Sequence, residues 1–313
     1  MNKRKNVLVS IVMATYNRSH LITETLEAIQ QQTFSNWECL IIDDGSTDNT
    51  QEILLKYLSE DKRFQYFVRT AAHNKGLPGC RNFGLNLAKG NYVVFFDDDD
   101  IPHPRLLELT IKNLEESGAD FCRYGRKVFS GIFQPDFDHS NKYEIKNFPE
   151  NLPELMVTGK IPFNSCQVLW KKSCFDEIRF NEKLLFAEEW ECYSRILLKS
   201  YHGINLDKVL YYGRKHSNSN TGEFQKKNII RIASKIEATI LVMNHLEKGQ
   251  KINNQLRKFF IRMAFDLRSA CVLEEILKLT NTGLIENAKY KMGFQFYPLL
   301  RPLLKIKGRL KST

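Results

Sequence analysis

The sequence predicts an α/β protein with a doubly wound, mostly parallel sheet and a helical C-terminal extension. In the first hundred residues, short apolar runs rich in β-branched side chains alternate with segments of helical period, as expected of strands and helices in turn. From residue 223 onward only helical spacing remains. The chain has 313 residues, of which 42% are hydrophobic, so it is long enough to bury a substantial core.

Four strands are predicted in the first part of the chain, because each run there is short and mainly apolar, and the first two are expected to be buried. These runs span residues 7–14, 37–42, 64–68 and 92–96. Helices are predicted between them over residues 21–32, 50–58 and 80–88. Strands that alternate with helices through short loops favour a parallel sheet covered on both faces.

The pattern after residue 120 is less regular and then becomes helical. Strands are predicted at 166–170 and 209–213, a helix at 189–198, and further helical segments at 229–246 and 256–279. In the tail, residues 290–313, aromatic and leucine side chains mix with lysines and arginines. Pro298 and Pro302 are expected to interrupt a continuous helix there.

Composition narrows the classes of partner. The net charge of +10 attracts polyanions, so both nucleic acid and an anionic membrane are candidates. A nucleic-acid binder would need a basic, aromatic-bearing face, whereas the prominent charges here are acids at strand ends, so no nucleic-acid partner is predicted. No apolar run approaches the roughly 20 residues of a spanning helix, and a cytoplasmic protein without a signal peptide is expected.

The seven cysteines lack metal-ligand spacing and are expected to be reduced and mostly buried.

Polar residues recur where the predicted strands end. Thr15, Tyr16 and Asn17 follow the first strand, Asp43 and Asp44 follow the second, and residues 97–100 follow the fourth. In open parallel sheets, ligands bind in the crevice at the carboxyl ends of strands. We therefore expect these three loops to converge on one site.

The four consecutive aspartates, residues 97–100, point to a bound cation. Adjacent carboxylates repel one another and are costly to desolvate without a partner. A hard divalent ion such as Mg²⁺ or Mn²⁺ takes one or two protein carboxylates and completes its shell with water and substrate phosphates. A solvated acidic turn is the alternative, but the position directly after a buried strand favours the metal.

Several other residues have both a functional and a structural interpretation. Tyr16 could stack on a base, and Asp44 could accept a hydrogen bond from one or belong to a helix-capping turn. Arg81 could pair with phosphate or with the acidic run. Glu188 and Glu189 suit a general base but also a helix start. His216 could face phosphate or metal, or be structural.

Three blocks of sequence resemble the core of glycosyltransferase family 2, which has the GT-A fold. They are VSIVMATYNR, QQTFSNWECLIIDDGSTDNT and NKGLPGCRNFGLNLAKGNYVVFFDDDDIPHPRLLE, in the order and spacing of that family. The resemblance is clear over residues 6–110 and weaker to about residue 220. It implies a nucleotide-sugar-binding half at 1–110 and an acceptor-binding half at 111–222. The last ninety or so residues lie outside the resemblance, and their own pattern predicts a helical region with a basic aromatic tail at 223–313.

The resemblance also implies roles for individual donor-site residues. It implies that Thr15, Tyr16 and Asn17 pack against the nucleotide base, that Asp44 reads the base, and that Arg81 belongs to the donor site. Asp97 and Asp99 match the first and third positions of the D-x-D motif, whose carboxylates contact the ribose and the metal. Asp98 holds the variable middle position, and Asp100 a common fourth acidic position.

Two later segments extend the resemblance. FDEIRFNEKLLFAEEWECYSRIL resembles the segment ending in Glu-Asp-Trp, whose Asp is the family's general base. Glu189 stands at that Asp position, and its neighbour Glu188 is the other candidate. GRKHSNS resembles an Arg-x-His segment, which implies that Arg214 and His216 lie near the diphosphate.

The implied activity is inverting sugar transfer from a nucleoside-diphosphate donor, with UDP-sugars favoured, to a hydroxyl of a saccharide or lipid-linked saccharide. Relatives of this type make capsule or lipopolysaccharide. A nucleotide-sugar binder that has lost its chemistry is the alternative. The tail fits either peripheral contact with the inner face of the cytoplasmic membrane or a helix docked on the core.

Overall fold

A computed structural model describes residues 7–215 and 219–309, with the backbone alone from 298 to 309. The chain forms two compact units, Met1–Ser234 and Lys235–Thr313. Within the described residues no helix combines the length and the apolar character needed to cross a membrane. None of the seven cysteines forms a disulfide, and all except Cys271 are buried.

A nine-stranded sheet organises the first unit. The strands are β1 (Val9–Thr15), β2 (Trp37–Asp43), β3 (Phe64–Val68), β4 (Tyr92–Asp97), β5 (Ile101–Pro102), β6 (Phe121–Phe129), β7 (Ile145–Asn147), β8 (Val168–Lys171) and β9 (Gly203–Arg214). Their order is β3-β2-β1-β4-β8-β6-β9-β5, with β7 paired to β9. The predicted α/β class is confirmed, and all four strands expected in the first hundred residues are present.

Eleven α-helices are assigned in the described residues. They are α1 (Ile22–Gln30), α2 (Thr50–Glu60), α3 (Leu77–Leu87), α4 (Leu106–Ser117), α5 (Leu152–Val157), α6 (Glu188–Leu197), α7 (Asn220–Gln225), α8 (Ile229–Lys248), α9 (Asn254–Leu267), α10 (Ala270–Leu279) and α11 (Leu284–Arg309).

The parallel half of the sheet explains why its strands are continuous apolar runs. Strand β1 pairs in parallel with both β2 and β4, so a neighbouring strand covers each of its edges. On one face, Ile11 and Met13 join the same core as Leu26 of α1. On the other face, Val12 lies so close to Gly84 of α3 that a Cβ there would sit 2.4 Å from Val12 Cγ1. Helices therefore cover both faces, as a parallel sheet requires.

The other half of the sheet is mixed and was only partly anticipated. Strand β8 runs antiparallel to both β4 and β6, whereas β6 and β9 are parallel. Strand β6 was not predicted, because its sequence, FCRYGRKVF, carries three basic residues. It is buried mainly at its N-terminal end, so neither a continuous apolar run nor a clean alternation signals it. The predicted strand at 209–213 is only the second half of β9.

The helical unit differs from expectation in two places. The segment 256–279 is two helices, because Arg268 adopts a left-handed φ of 52° and Ser269 caps α10 by accepting the Val272 N–H. The expected interruption at Pro298 and Pro302 is wrong, since the backbone of α11 stays helical through both. A proline removes one N–H from the helical ladder, and the neighbouring turns continue without it.

Candidate active site

The loops after β1, β2 and β4 meet at one edge of the sheet. The Asp44 N–H donates to the Thr15 carbonyl at 2.9 Å, and the Thr47 N–H donates to the Asn17 Oδ1 at 2.8 Å. Arg18 reaches across to Asp98, with Nε 3.2 Å from Oδ1. The convergence expected from strand order is therefore found.

The residues predicted to contact the nucleotide base lie together on one side of this edge. Tyr16 is 42% exposed, and the Lys75 Nζ lies 4.4 Å from its ring centroid. Asp44 already accepts hydrogen bonds from the Arg69 Nε and the Gly76 N–H. Base recognition by Asp44 would therefore have to share or replace one of these partners, and its role stays a prediction.

The four aspartates, which the sequence left equivalent, differ in exposure and in partners in the structure. Asp97, the last residue of β4, keeps 35% of its side chain exposed, whereas the next three aspartates are buried. Asp98 pairs with Arg18, and Asp100 accepts the Arg214 N–H at 2.7 Å. Burial is the main cause that raises the pKa of Asp98 to about 7 and that of Asp100 to about 8.

Arg81 lies beneath the acidic run and does not face solvent. Its Nη1 donates to Glu188 Oε1 at 2.8 Å, and both side chains are 5% exposed. Its Nη2 donates to the Ser165 hydroxyl at 3.0 Å and lies 3.6 Å from Asp97 Oδ1. Of the two partners that the sequence allowed for Arg81, the structure provides the acidic one, while phosphate contact stays a prediction.

The two adjacent glutamates have different surroundings. Helix α6 begins at Glu188 after Ala187, whose φ is 63°, and Glu188 is held by Arg81 in the buried pair. Glu189 is half-buried, and in the described part of the chain it forms no salt bridge. Burial, reinforced by the charge of Glu188, raises the pKa of Glu189 to about 8. A carboxylate with a raised pKa and an accessible side is suited to accept a proton.

The donor atoms around Asp97 fit a hard divalent cation. Potential ligand atoms of Asp97, Asp100 and Cys166 lie within 4.8 Å of one another. The Oδ2 of Asp100 is buried without a hydrogen bond and lies 3.5 Å from the Arg126 guanidinium. Burial holds the pKa of the Cys166 thiol well above its usual range, so the oxygens are the better ligands. Asp99 is buried and lies outside this ligand group, and the metal roles of Asp97 and Asp99 stay predictions.

Arg214 lies beside the acidic run, at the end of β9. Its Nε donates to the Asp99 carbonyl at 3.0 Å and its Nη1 to the Gly131 carbonyl at 2.7 Å, while its Nη2 pairs with Glu24. A diphosphate contact would have to compete with these bonds. His216, predicted beside it, falls outside the described residues.

Three contributors to the site were missed from the sequence. Arg18 pairs with Asp98, Arg126 faces Asp100, and Cys166 lies beside Asp97 and Asp100. Arg18 directly follows Asn17, so its position in the motif was an available signal. No local signal marks Arg126 or Cys166, because both reach the site only through β6 and the turn before β8.

The sequence comparisons with known proteins agree on the family of this chain, and the structure comparisons agree on its fold. The model of the family "Glycosyl transferase family 2" matches residues 10–177. Glycosyltransferase GlyG of Streptococcus pneumoniae is 27% identical over 245 residues, covering 73% of this chain and 79% of GlyG. WfgD of Escherichia coli, named as a UDP-Glc:alpha-D-GlcNAc-diphosphoundecaprenol beta-1,3-glucosyltransferase, is 37% identical over 157 residues, which are 50% of this chain and 54% of WfgD. Four other relatives are longer, and the chain spans 26–34% of their length.

Solved structures share the fold. S. aureus TarS 1–349 in complex with UDP-GlcNAc gives a TM-score of 0.58 at 18% identity, over 94% of this chain and 92% of TarS 1–349. Mannosyltransferase PcManGT from Pyrobaculum calidifontis, in complex with GDP-Man and Mn²⁺, gives a TM-score of 0.54 at 16% identity, over 94% of this chain and 81% of PcManGT.

Proposed function

The chain belongs to glycosyltransferase family 2, and from that premise we propose that it transfers a sugar, with inversion, from a nucleoside-diphosphate donor to an acceptor hydroxyl. The observation that carries the proposal is the pair of glutamates opening α6. Glu188 neutralises Arg81 in a buried salt bridge, so Glu189 is the glutamate of the two that has a raised pKa and an accessible side.

In the proposed reaction, Glu189 accepts the proton of the acceptor hydroxyl as the hydroxyl oxygen forms a bond to the anomeric carbon. The bond from that carbon to the diphosphate breaks on the opposite side, so configuration inverts. A base positioned in this way contributes roughly 10²–10⁴-fold to the rate. Nearby Arg81 orients Glu188 and Asp97, so it acts by holding the acidic groups in place.

For the donor, we propose a UDP-sugar whose base packs against Tyr16 and contacts Asp44, with Thr15 and Asn17 shaping the loop. TarS and PcManGT, bound to UDP-GlcNAc and GDP-Man, support a nucleotide sugar in general. Mn²⁺ or Mg²⁺ would be held by Asp97 and Asp99, and when bound it would neutralise charge that develops on the departing diphosphate. Asp97 keeps 35% of its side chain exposed, so a cation can reach this carboxylate from solvent.

For the acceptor, we propose a saccharide or lipid-linked saccharide in the assembly of a cell-surface polysaccharide. The name of WfgD, which includes a diphosphoundecaprenol-linked acceptor, supports this class. We propose that residues 1–110 bind the donor and residues 111–222 the acceptor. For a lipid-linked acceptor, we propose that residues 223–313 bring the enzyme to the cytoplasmic face of a membrane by peripheral contact.

The test is to incubate the purified protein with a panel of UDP- and GDP-sugars and Mn²⁺, and to measure release of the nucleoside diphosphate with and without a chelator. We expect metal-dependent release with one donor or a few, strongest with a UDP-sugar. Tight donor binding without release or transfer to any acceptor would instead identify a nucleotide-sugar binder that has lost its chemistry.

A further inference from the structure

The positive charge of this protein is concentrated in its second unit. Residues 235–313 contain 15 lysines and arginines against 6 aspartates and glutamates, which leaves them with nine of the ten net positive charges of the chain. The first unit is thus close to neutral despite its acidic site. A charge so unevenly placed creates a local field that attracts anionic surfaces.

One face of α11 explains how this helix is held in its unit. Phe294 and Tyr297, three residues apart and so on one side of the helix, make edge-to-face contacts with Phe265 of α9. Arg257 of α9 pairs with Glu286 near the start of α11. This side of α11 is therefore the packed side.

Apolar residues also lie on the other side of α11, where no packing explains them. Ile285, Met292 and Phe296 are separated by seven and four residues, a spacing that places them along one helix face. They are 76%, 57% and 52% exposed. The adjacent Leu284 is 89% exposed, and Lys289 and Lys291, which lie between Ile285 and Phe296 in sequence, are exposed as well. Single exposed apolar residues are ordinary, but an aligned set on a basic helix marks an interaction surface.

We propose that this face of α11, formed by Ile285, Met292 and Phe296, binds an anionic lipid surface. Apolar side chains would enter the interface between head groups and acyl chains, while the lysines meet anionic head groups. The basic residues that follow in sequence, up to Lys311, add to the same attraction. The inference specifies the peripheral contact proposed above, but it rests on the packing and charge of the second unit and not on sugar-transfer chemistry.

The test measures co-sedimentation of the full-length protein with phosphatidylcholine vesicles, with and without about 30% phosphatidylglycerol. We expect at least about 10-fold stronger binding to the anionic vesicles, and loss of most of that gain at about 0.5 M salt. The triple variant Ile285→Ser, Met292→Ser, Phe296→Ser should bind the anionic vesicles at least about 10-fold more weakly than the wild type. A matched control removes three exposed apolar residues from the first unit, Leu55→Ser, Val68→Ser and Ile145→Ser, and should bind like the wild type.

Several outcomes would overturn the proposal. One is wild-type protein that stays in the supernatant with anionic vesicles. Another is a triple variant of Ile285, Met292 and Phe296 that binds these vesicles like the wild type. Circular dichroism on both triple variants checks that each keeps its fold. The double variant Lys289→Gln, Lys291→Gln leaves the apolar face intact and tests the contribution of the two lysines separately. If the serine variant loses self-association in analytical ultracentrifugation while vesicle binding persists, the face contacts a second copy of the chain. Nucleotide-sugar hydrolysis is measured separately, so failure of membrane binding and failure of catalysis are distinguishable.

Discussion

Removal of the Glu189 carboxylate is the perturbation that tests the proposed chemistry most directly. In the free protein its pKa is raised to about 8. A general base works in its deprotonated form, so activity should rise with pH through that value. With a pKa of about 8, roughly 1% of the base is deprotonated at pH 6 and half at pH 8, so kcat/KM should climb about 50-fold between them and level off above about pH 9. Glu189→Gln should lower kcat by about 10²–10⁴-fold and remove the part of this rise that Glu189 contributes. Asp98 and Asp100, whose pKa values are about 7 and about 8, titrate in the same range.

The assay is initial-rate transfer, or donor hydrolysis if no acceptor is known, measured from pH 6 to about pH 9 with saturating Mn²⁺. Donor binding by Glu189→Gln, measured by calorimetry, controls for loss of the fold. Glu189→Asp keeps a carboxylate one methylene shorter and should retain the rise with pH at a reduced rate. A Glu189→Gln enzyme that keeps both the alkaline rise and more than about a tenth of wild-type turnover would refute the assignment.

Three further predictions concern the salt bridge, the helix packing and the metal. Glu188→Gln should lower the free energy of unfolding in urea by about 3 kcal/mol, since Arg81 would be left as a buried charge with a neutral partner; a loss below about 1 kcal/mol would show that the pair is dispensable. Gly84→Ala would place a Cβ 2.4 Å from a valine side chain in β1, so it should lower the free energy of unfolding by about 1–3 kcal/mol. The control Gly293→Ala, whose Cβ would have no neighbour nearer than 4.0 Å, should not destabilise the protein. Asp97→Asn should remove most of the rise in melting temperature that Mn²⁺ gives the wild type, and an unchanged rise would place the metal elsewhere.

The sequence was informative about the site wherever a residue directly follows a buried strand. Tyr16, Asp44 and Asp97 were all predicted in this way to lie at one edge of the sheet, because parallel strands bring their carboxyl ends to the same edge. The same reasoning could not separate Asp97 from the three aspartates after it. In the structure Asp98 pairs with Arg18 and Asp100 accepts the Arg214 N–H, and both partners lie far from the acidic run in sequence.

Local sequence alone determined the parallel half of the sheet and the helical character of the last part of the chain, because strand and helix period are properties of neighbouring residues. It also located the acidic run and both candidate glutamates. Only the tertiary structure decided that Arg81 pairs with Glu188 and thereby leaves Glu189 accessible, since this choice depends on two residues 107 positions apart. The strand β6 and the exposed face of α11 likewise depended on tertiary structure. Burial of a side chain is set by whatever packs against it, and that is not encoded in its immediate neighbours.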